Sequence, residues 1–173
     1  MKKISFIVLL FYTASLFAQQ KTMDFEKYDP VSTLKVPEHI VTKAKFPFID
    51  VHNHQWNLSE QSIPNLLSDM DKLNMAVMVN LSGGNGSRLE GMTKSIRSKA
   101  PKRFIVFANI DFKGIGETGW TAKAVNQLET DIKNGANGLK IFKNLGFSVT
   151  DKDGKRVAID DPRLDAIWEK CGE

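Results

Sequence analysis

The sequence predicts an α/β fold built around a parallel sheet. From Phe46 onward, short β-rich runs alternate with longer segments of helical periodicity. The centres of the four β-rich runs, at Ile49, Val79, Val106 and Ile141, are 30, 27 and 35 residues apart. Strands and helices that alternate at this spacing form right-handed βαβ units, in which neighbouring strands run parallel.

The composition is that of a globular protein. The chain has 173 residues, of which 42% are hydrophobic and 25% charged. Its formal net charge of +4 includes Lys2 and Lys3, and removing these two charges leaves +2 for the rest. So small an excess gives no reason to expect a nucleic-acid partner. Cys171 is the only cysteine, which excludes an intramolecular disulfide and a four-cysteine metal site.

Residues 1–18 predict a secretory signal peptide. Two lysines precede an apolar run from Ile4 to Phe17, which Ala18 follows. The run has 14 residues, fewer than the about 20 that span a bilayer. We therefore expect cleavage, no stable membrane anchor after it, and a periplasmic or secreted protein. The polar residues 19–45 are expected to form an N-terminal leader.

The repeating part is predicted to occupy residues 46–173 and to contain four βα units. The predicted strands are residues 46–54, 76–81, 103–112 and 138–144, and the predicted helices are residues 62–74, 89–99, 122–134 and a last helix from Pro162. Gly135 is expected to end the third helix. Asp153-Gly154 lies between two β-capable stretches and predicts a small hairpin.

Two architectures fit four βα units. A small open parallel sheet of the doubly wound type would be complete in this length. A (β/α)8 barrel of the TIM type takes roughly 250 residues, so only its first four units would be present. The length favours the open sheet, whereas the final amphipathic helix, 163–173, ends where a fifth strand of a barrel would begin.

The first predicted strand ends in a pair of histidines. Because side chains alternate along a strand, Asp50, His52 and His54 are expected on one face, with Ile49 and Val51 directed toward covering helices. Parallel α/β folds place active sites at the carboxyl ends of their strands. The histidine Cα atoms would be roughly 7 Å apart, close enough for both rings to bind one ion. The alternative is that the histidines are merely solvated or hydrogen bonded.

The segment Phe48-Ile-Asp-Val-His-Asn-His54 resembles the first-strand metal motif of the amidohydrolase superfamily. The likeness is greatest to the amidohydrolase-related branch, which contains metal-dependent hydrolases and decarboxylases. It continues through the segments 138–146 and 160–165 and so covers about residues 46–173. The resemblance implies a (β/α)8 barrel of which this chain holds the N-terminal half.

The resemblance also implies a site. His52 and His54 correspond to two ligands of a divalent metal, which we expect to be zinc, and Asp50 is expected to support a ligand from behind. Lys140 is a further candidate, because a fourth-strand lysine is carboxylated and bridges two metals in some branches. A simpler role for Lys140 is to neutralise an inward carboxylate such as Asp50. The remaining ligands and the general acid or base are expected beyond residue 173, so this chain alone is predicted to be inactive.

Two further residues are candidates for the substrate pocket. Asn80 and Asp111 lie near the ends of the second and third predicted strands, and each would equally suit a turn. For the complete protein we expect an exported metal-dependent hydrolase of a small molecule. A decarboxylase on the same fold and a non-catalytic exported α/β binding module are the alternatives. Exposed edge strands make self-association of this half barrel an expectation as well.

Overall fold

A computed structural model describes residues 24–173. The predicted signal peptide, residues 1–18, lies outside the described residues. The chain divides into two units, of which the first ends at Ile40 and the second begins at Val41. In the first unit the described residues are exposed, and one turn of 3-10 helix spans Phe25–Lys27. No helix within residues 24–173 is both long enough and apolar enough to cross a bilayer.

The second unit is an α/β fold, as the sequence predicts. Its sheet has four strands in the order of the sequence, and each neighbouring pair is parallel. The strands are β1 (Phe48–Asn53), β2 (Met75–Asn80), β3 (Phe104–Ala108) and β4 (Gly138–Leu139). The last two are shorter than predicted, because the chain enters loops and turns soon after the residues that pair with the neighbouring strand.

The helices agree with the predicted positions. They are α1 (Ile63–Leu73), α2 (Gly86–Lys99), α3 (Trp120–Lys133) and α4 (Asp165–Gly172), the last preceded by a 3-10 turn over Pro162–Leu164. Gly135 follows α3 with a φ of 107°, a left-handed conformation that favours glycine at a helix end. The predicted hairpin is a single antiparallel bridge between Thr150 and Arg156.

The crossover helices pack on one face of the sheet. Met78, Phe104 and Val106 occupy paired positions on that face and contact α1 and α2 in one core cluster. Ala108 and Leu139 continue the same face and pack with α3 and α4 in a second cluster. The sheet therefore curls as an open half barrel with its helices outside.

The expected packing of Ile49 and Val51 against the helices is wrong. Their exposed fractions are 54% and 70%. The β1–β2 register shifts twice: between Phe48 and Ile49, where Ala76 of β2 is the extra residue, and between Asp50 and Asn53, where two residues of β1 oppose Val79. An extra residue in one strand shifts the facing of the side chains that follow it. Within residues 24–173 β1 is also an edge strand, with β2 as its one neighbour.

Candidate metal site

The two histidines of the motif lie together at the carboxyl end of the first strand. The centroids of the His52 and His54 rings are 5.1 Å apart and their planes are inclined by 68°. Both side chains are exposed. This arrangement presents two imidazoles to the same region of solvent, as two ligands of one ion require. Their role as ligands remains a prediction.

One of the two rings is anchored from inside the protein. The Nδ1 atom of His54 is 2.7 Å from the hydroxyl oxygen of Ser82, which is fully buried. This hydrogen bond occupies Nδ1 and leaves Nε2 available. Sequence reasoning missed Ser82. The signal that could have found it is its position two residues after β2, at the edge where parallel strands end together.

Asn80 holds the chain next to His54. Its side-chain Oδ1 accepts hydrogen bonds from the backbone N–H groups of Gln55 and Ser82, at 2.9 and 3.0 Å. Its Nδ2 donates to the Gln55 carbonyl oxygen at 3.0 Å and lies 3.3 Å from Met92 Sδ. Because Asn80 is completely buried, it supports the chain behind the site in this structure, and a place for it in a substrate pocket remains a prediction.

Two aromatic rings lie beside His54. The Trp56 ring is stacked nearly parallel to the imidazole, at a centroid separation of 6.0 Å, and the centroid of the Phe142 ring is 5.7 Å from that of the imidazole. Trp56 and Phe142 are themselves stacked at 5.6 Å. The guanidinium of Arg88 lies 5.6 Å from the Trp56 ring and donates to the Trp56 carbonyl oxygen. Trp56, on the loop after β1, and Phe142, on the loop after β4, thus form an apolar wall beside His54.

The carboxylate of Asp50 hydrogen bonds to later residues of its own strand. Oδ1 accepts the backbone N–H of His52 at 3.0 Å, and Oδ2 accepts the side-chain amide of Asn53 at 2.7 Å. Neither bond involves an imidazole nitrogen. Asp50 therefore supports the site here through the backbone of His52, while support of a ring nitrogen after metal binding remains a prediction.

Lys140 projects from the face opposite to the helices. Its neighbour Leu139 packs in the helix-facing core, and the Lys140 Nζ lies 6.0 Å from the Phe142 ring centroid. Among residues 24–173 the Lys140 amine makes no hydrogen bond or ion pair, and the Asp50 carboxylate bonds instead to His52 and Asn53. The part that Lys140 plays in a metal site remains a prediction.

Sequence reasoning also missed Asn109, which follows β3 and hydrogen bonds to residues that follow β2 and β4. Its Nδ2 donates to the carbonyl oxygens of Leu81 and Lys140, at 3.0 and 3.1 Å. Its Oδ1 accepts the N–H of Gly84 at 2.8 Å. An asparagine at the end of a β-rich run has no sequence feature that distinguishes this role from a turn. The amide fixes the backbone of Lys140 relative to the loop after β2.

The structure does not bring Asp111 to the histidine pair. Asp111 is exposed, and its Oδ1 accepts the backbone N–H of Lys113 at 2.9 Å in a local turn. It lines a cleft of about 230 Å³ next to Trp120, and neither histidine borders this cleft. In this structure Asp111 is therefore a turn residue, and a contact with substrate remains a prediction.

The donor set fits part of a zinc site. Imidazole nitrogen is a preferred zinc ligand, and an open catalytic site uses about three protein ligands with a water in the next position. Within residues 24–173, no group of three or more histidine, cysteine or carboxylate side chains could hold a metal ion. His52 and His54 therefore fit two of the ligand positions, and further ligands would have to come from outside this set.

Comparison with known proteins does not show a family. No protein-family model matches the chain, and no curated protein and no solved structure matches it either. The functional conclusion therefore depends on the motif at His52 and His54 and on the geometry around it.

Proposed function

We propose that residues 46–173 are the N-terminal half of an amidohydrolase-like (β/α)8 barrel, and that the complete protein is an exported metal-dependent hydrolase. Two features of the fold support this proposal. The strand order follows the sequence without reversal, whereas a doubly wound sheet reverses its order at a switch point. The crossover helices also pack on one face, as they do around a barrel.

The observation that carries the metal assignment is the 5.1 Å separation of the His52 and His54 rings at the carboxyl end of the first strand. Both residues are exposed, and the one ring hydrogen bond, from His54 Nδ1 to Ser82, leaves Nε2 of His54 available to an ion. In this proposal both imidazoles bind a divalent metal ion, with zinc preferred for nitrogen ligands. When bound, such an ion polarises a scissile carbonyl and lowers the pKa of a coordinated water toward 7.

The residues of this chain then have distinct tasks. His52 and His54 bind the metal, and the aromatic wall of Trp56 and Phe142 shields one side of His54 from water. Further ligands, and the group that moves the proton during hydrolysis, are placed outside residues 24–173. The substrate is a small molecule that reaches the metal at the carboxyl ends of the strands.

Metal analysis tests this assignment directly. The full-length protein should contain zinc in proportion to protein, and a His52→Ala, His54→Ala double variant should lose it. A matched control is His39→Ala, because His39 is exposed in the first unit and is not part of the motif. Equal zinc content in the wild type and the double variant, with both folded, would overturn the ligand assignment.

Export is tested by the mature N-terminus. We propose cleavage after about Ala18, on the basis of the charged start and the apolar run of residues 1–18. Mass spectrometry of protein recovered from the periplasm or the medium should show a chain that has lost this segment. Recovery of a cytoplasmic protein that retains Met1 would contradict the proposal.

A further inference from the structure

We infer that Ser82 is a positioning residue for His54, one that holds the ring in the form that offers Nε2 to a metal. The metal part of this inference rests on the proposed function. The effect on the ring itself does not, because it follows from a hydrogen bond that is present without an ion.

The first observation is the contrast between the two partners. Ser82 has no exposed surface, whereas His54 is exposed, and their Oγ and Nδ1 atoms are 2.7 Å apart. The imidazole is therefore fixed at its Nδ1 end by the protein interior and open to solvent at its other end. This is the geometry in which the second nitrogen of a ligating histidine is normally held.

The second observation is that the same segment holds the backbone around His54. Asn80 binds both the N–H and the carbonyl of Gln55, and the N–H of Leu81 donates to the Asn53 carbonyl at 2.9 Å. The Asn80 side chain also accepts the N–H of Ser82. Three successive residues at the end of β2 thus fix the chain on both sides of the histidine as well as its ring.

The direction of this hydrogen bond decides whether Nε2 is free to bind a metal. A neutral ring carries one N–H and one lone pair. If Nδ1 donates to the Ser82 oxygen, the lone pair is on Nε2, and Nε2 can bind a metal without first losing a proton. If Ser82 instead donated to Nδ1, the proton would be on Nε2 and would have to leave before Nε2 could bind a metal. A ring already held in the first form loses less conformational freedom when a metal binds.

His52 supplies an internal comparison. Within the described residues its ring takes part in no hydrogen bond, and only its backbone N–H is bonded, to Asp50. We therefore expect Ser82 substitutions to change the state of His54 and to leave that of His52 as it is.

The experiment measures the tautomers directly. The ring nitrogens of both histidines are observed by 15N NMR in the metal-free 173-residue chain, at an alkaline pH at which the spectra no longer change with pH and both rings are neutral. The wild type should show the Nδ1–H form at His54, and Ser82→Ala should change it to the Nε2–H form that prevails in free histidine. Ser87→Ala is the matched control, because Ser87 is exposed and lies in the first turn of α2.

The second measurement is a titration with Co²⁺ or Zn²⁺ alone. Ser82→Ala should weaken binding by about 10–100-fold, the usual effect of losing such a partner. Ser82→Thr retains the hydroxyl and should restore both the tautomer and the affinity, while Ser87→Ala should leave both unchanged.

The outcomes separate the two proposals. An Nε2–H tautomer at His54 in the wild type overturns the inference, and so does unchanged metal affinity in a folded Ser82→Ala variant. Suppose that the wild type shows the Nδ1–H form at His54 but the full-length protein binds no metal. The inference about Ser82 and the ring then stands, and the proposed function fails. Should Ser82→Ala not fold, the wild-type tautomer and Ser82→Thr decide the question.

Discussion

The carboxylate of Asp131 accepts a hydrogen bond at 2.8 Å from the backbone N–H of Gly86, a residue 45 positions earlier in the chain. Gly86 is the first residue of α2, and the side chain of its N-cap residue, Asn85, makes no capping bond. The same Asp131 oxygen accepts Gln127 Nε2 at 3.0 Å. A buried carboxylate on α3 thus caps α2 and joins the two helices.

Asp131 should make the fold less stable as the pH rises, which is the opposite of what an ion-paired carboxyl does. Burial raises the pKa of the Asp131 carboxyl, so the folded state retains the proton more strongly than the unfolded state does. Stability from this group is therefore greatest below the unfolded pKa and falls as the pH rises through the folded pKa. In Asp131→Asn one oxygen can still accept both hydrogen bonds.

We expect the unfolding free energy of Asp131→Asn to rise relative to wild type between about pH 3 and 7. Urea unfolding across this range measures it. Asp131→Ala, which loses both bonds, should be less stable by about 1–3 kcal/mol. An Asn variant that loses stability relative to wild type toward neutral pH would contradict the expectation.

The ion pair of Asp161 and Arg163 should give the opposite pH dependence. Arg163 binds both carboxylate oxygens, at 2.8 and 2.7 Å, and this contact lowers the pKa of Asp161 from 3.8 to about 2. A carboxyl with a lowered folded pKa stabilises the protein above its unfolded pKa and loses that contribution as the pH falls. The window is therefore about pH 4 to 2.

We expect Asp161→Asn to be less stable than wild type at neutral pH, with the difference shrinking below about pH 4. Thermal unfolding at a series of pH values measures it. Asp160→Asn is the control, since Asp160 is exposed and makes no hydrogen bond among the described residues. A difference that persists unchanged at pH 2 would show that the pair is not responsible.

Gly83 should tolerate no side chain. A Cβ there would lie 2.5 Å from the Phe107 carbonyl oxygen and 2.7 Å from Val106 Cγ1. Gly83→Ala must therefore push the loop after β2 away from β3, and we expect a loss of about 1–3 kcal/mol. Gly91→Ala is the control: no atom lies within 4 Å, and alanine within α2 should add up to about 1 kcal/mol. Urea unfolding compares the two, and equal stability of Gly83→Ala and wild type would refute the close contact.

The exposed edge of β1 should cause self-association of the 173-residue chain. Val51 is 70% exposed on an edge strand, and a lysine there should disfavour pairing with another copy. We expect Val51→Lys to shift the chain toward monomer in sedimentation velocity experiments without loss of stability. Val36→Lys, in the first unit and 64% exposed, should have a smaller effect. A monomeric wild type at the same concentration would contradict this prediction.

Much of the fold could be predicted because hydrophobic periodicity reports local structure. The α1 pattern and the stop at Gly135 depend on residues within a few positions of one another. The exposure of Ile49 and Val51 could not be predicted in this way. It depends on two shifts in the β1–β2 register and on the edge position of β1 among the strands of residues 24–173, and both are properties of pairing rather than of the β1 sequence.

The candidate site shows the same difference between local features, which the sequence predicts, and contacts between distant segments, which it does not. The closeness of His52 and His54 follows from their spacing in one strand, so the sequence predicts it. The contacts of Ser82 and Asn109 join residues 28 and 31 positions apart, and no pattern within one segment encodes such a pair. Asn80 was placed near the site for the right reason, the end of β2, but its burial against Met92 depends on how α2 packs.

The position of the histidines on an edge strand has a consequence for how a ligand would act. A strand with one neighbour opens locally at a lower free energy than a central strand, so the β1 amides should exchange with solvent before those of β3. An ion bound by His52 and His54 would oppose this local opening in proportion to its concentration and affinity. Slower hydrogen exchange along Phe48–Asn53 would therefore report metal binding even where catalysis cannot be assayed.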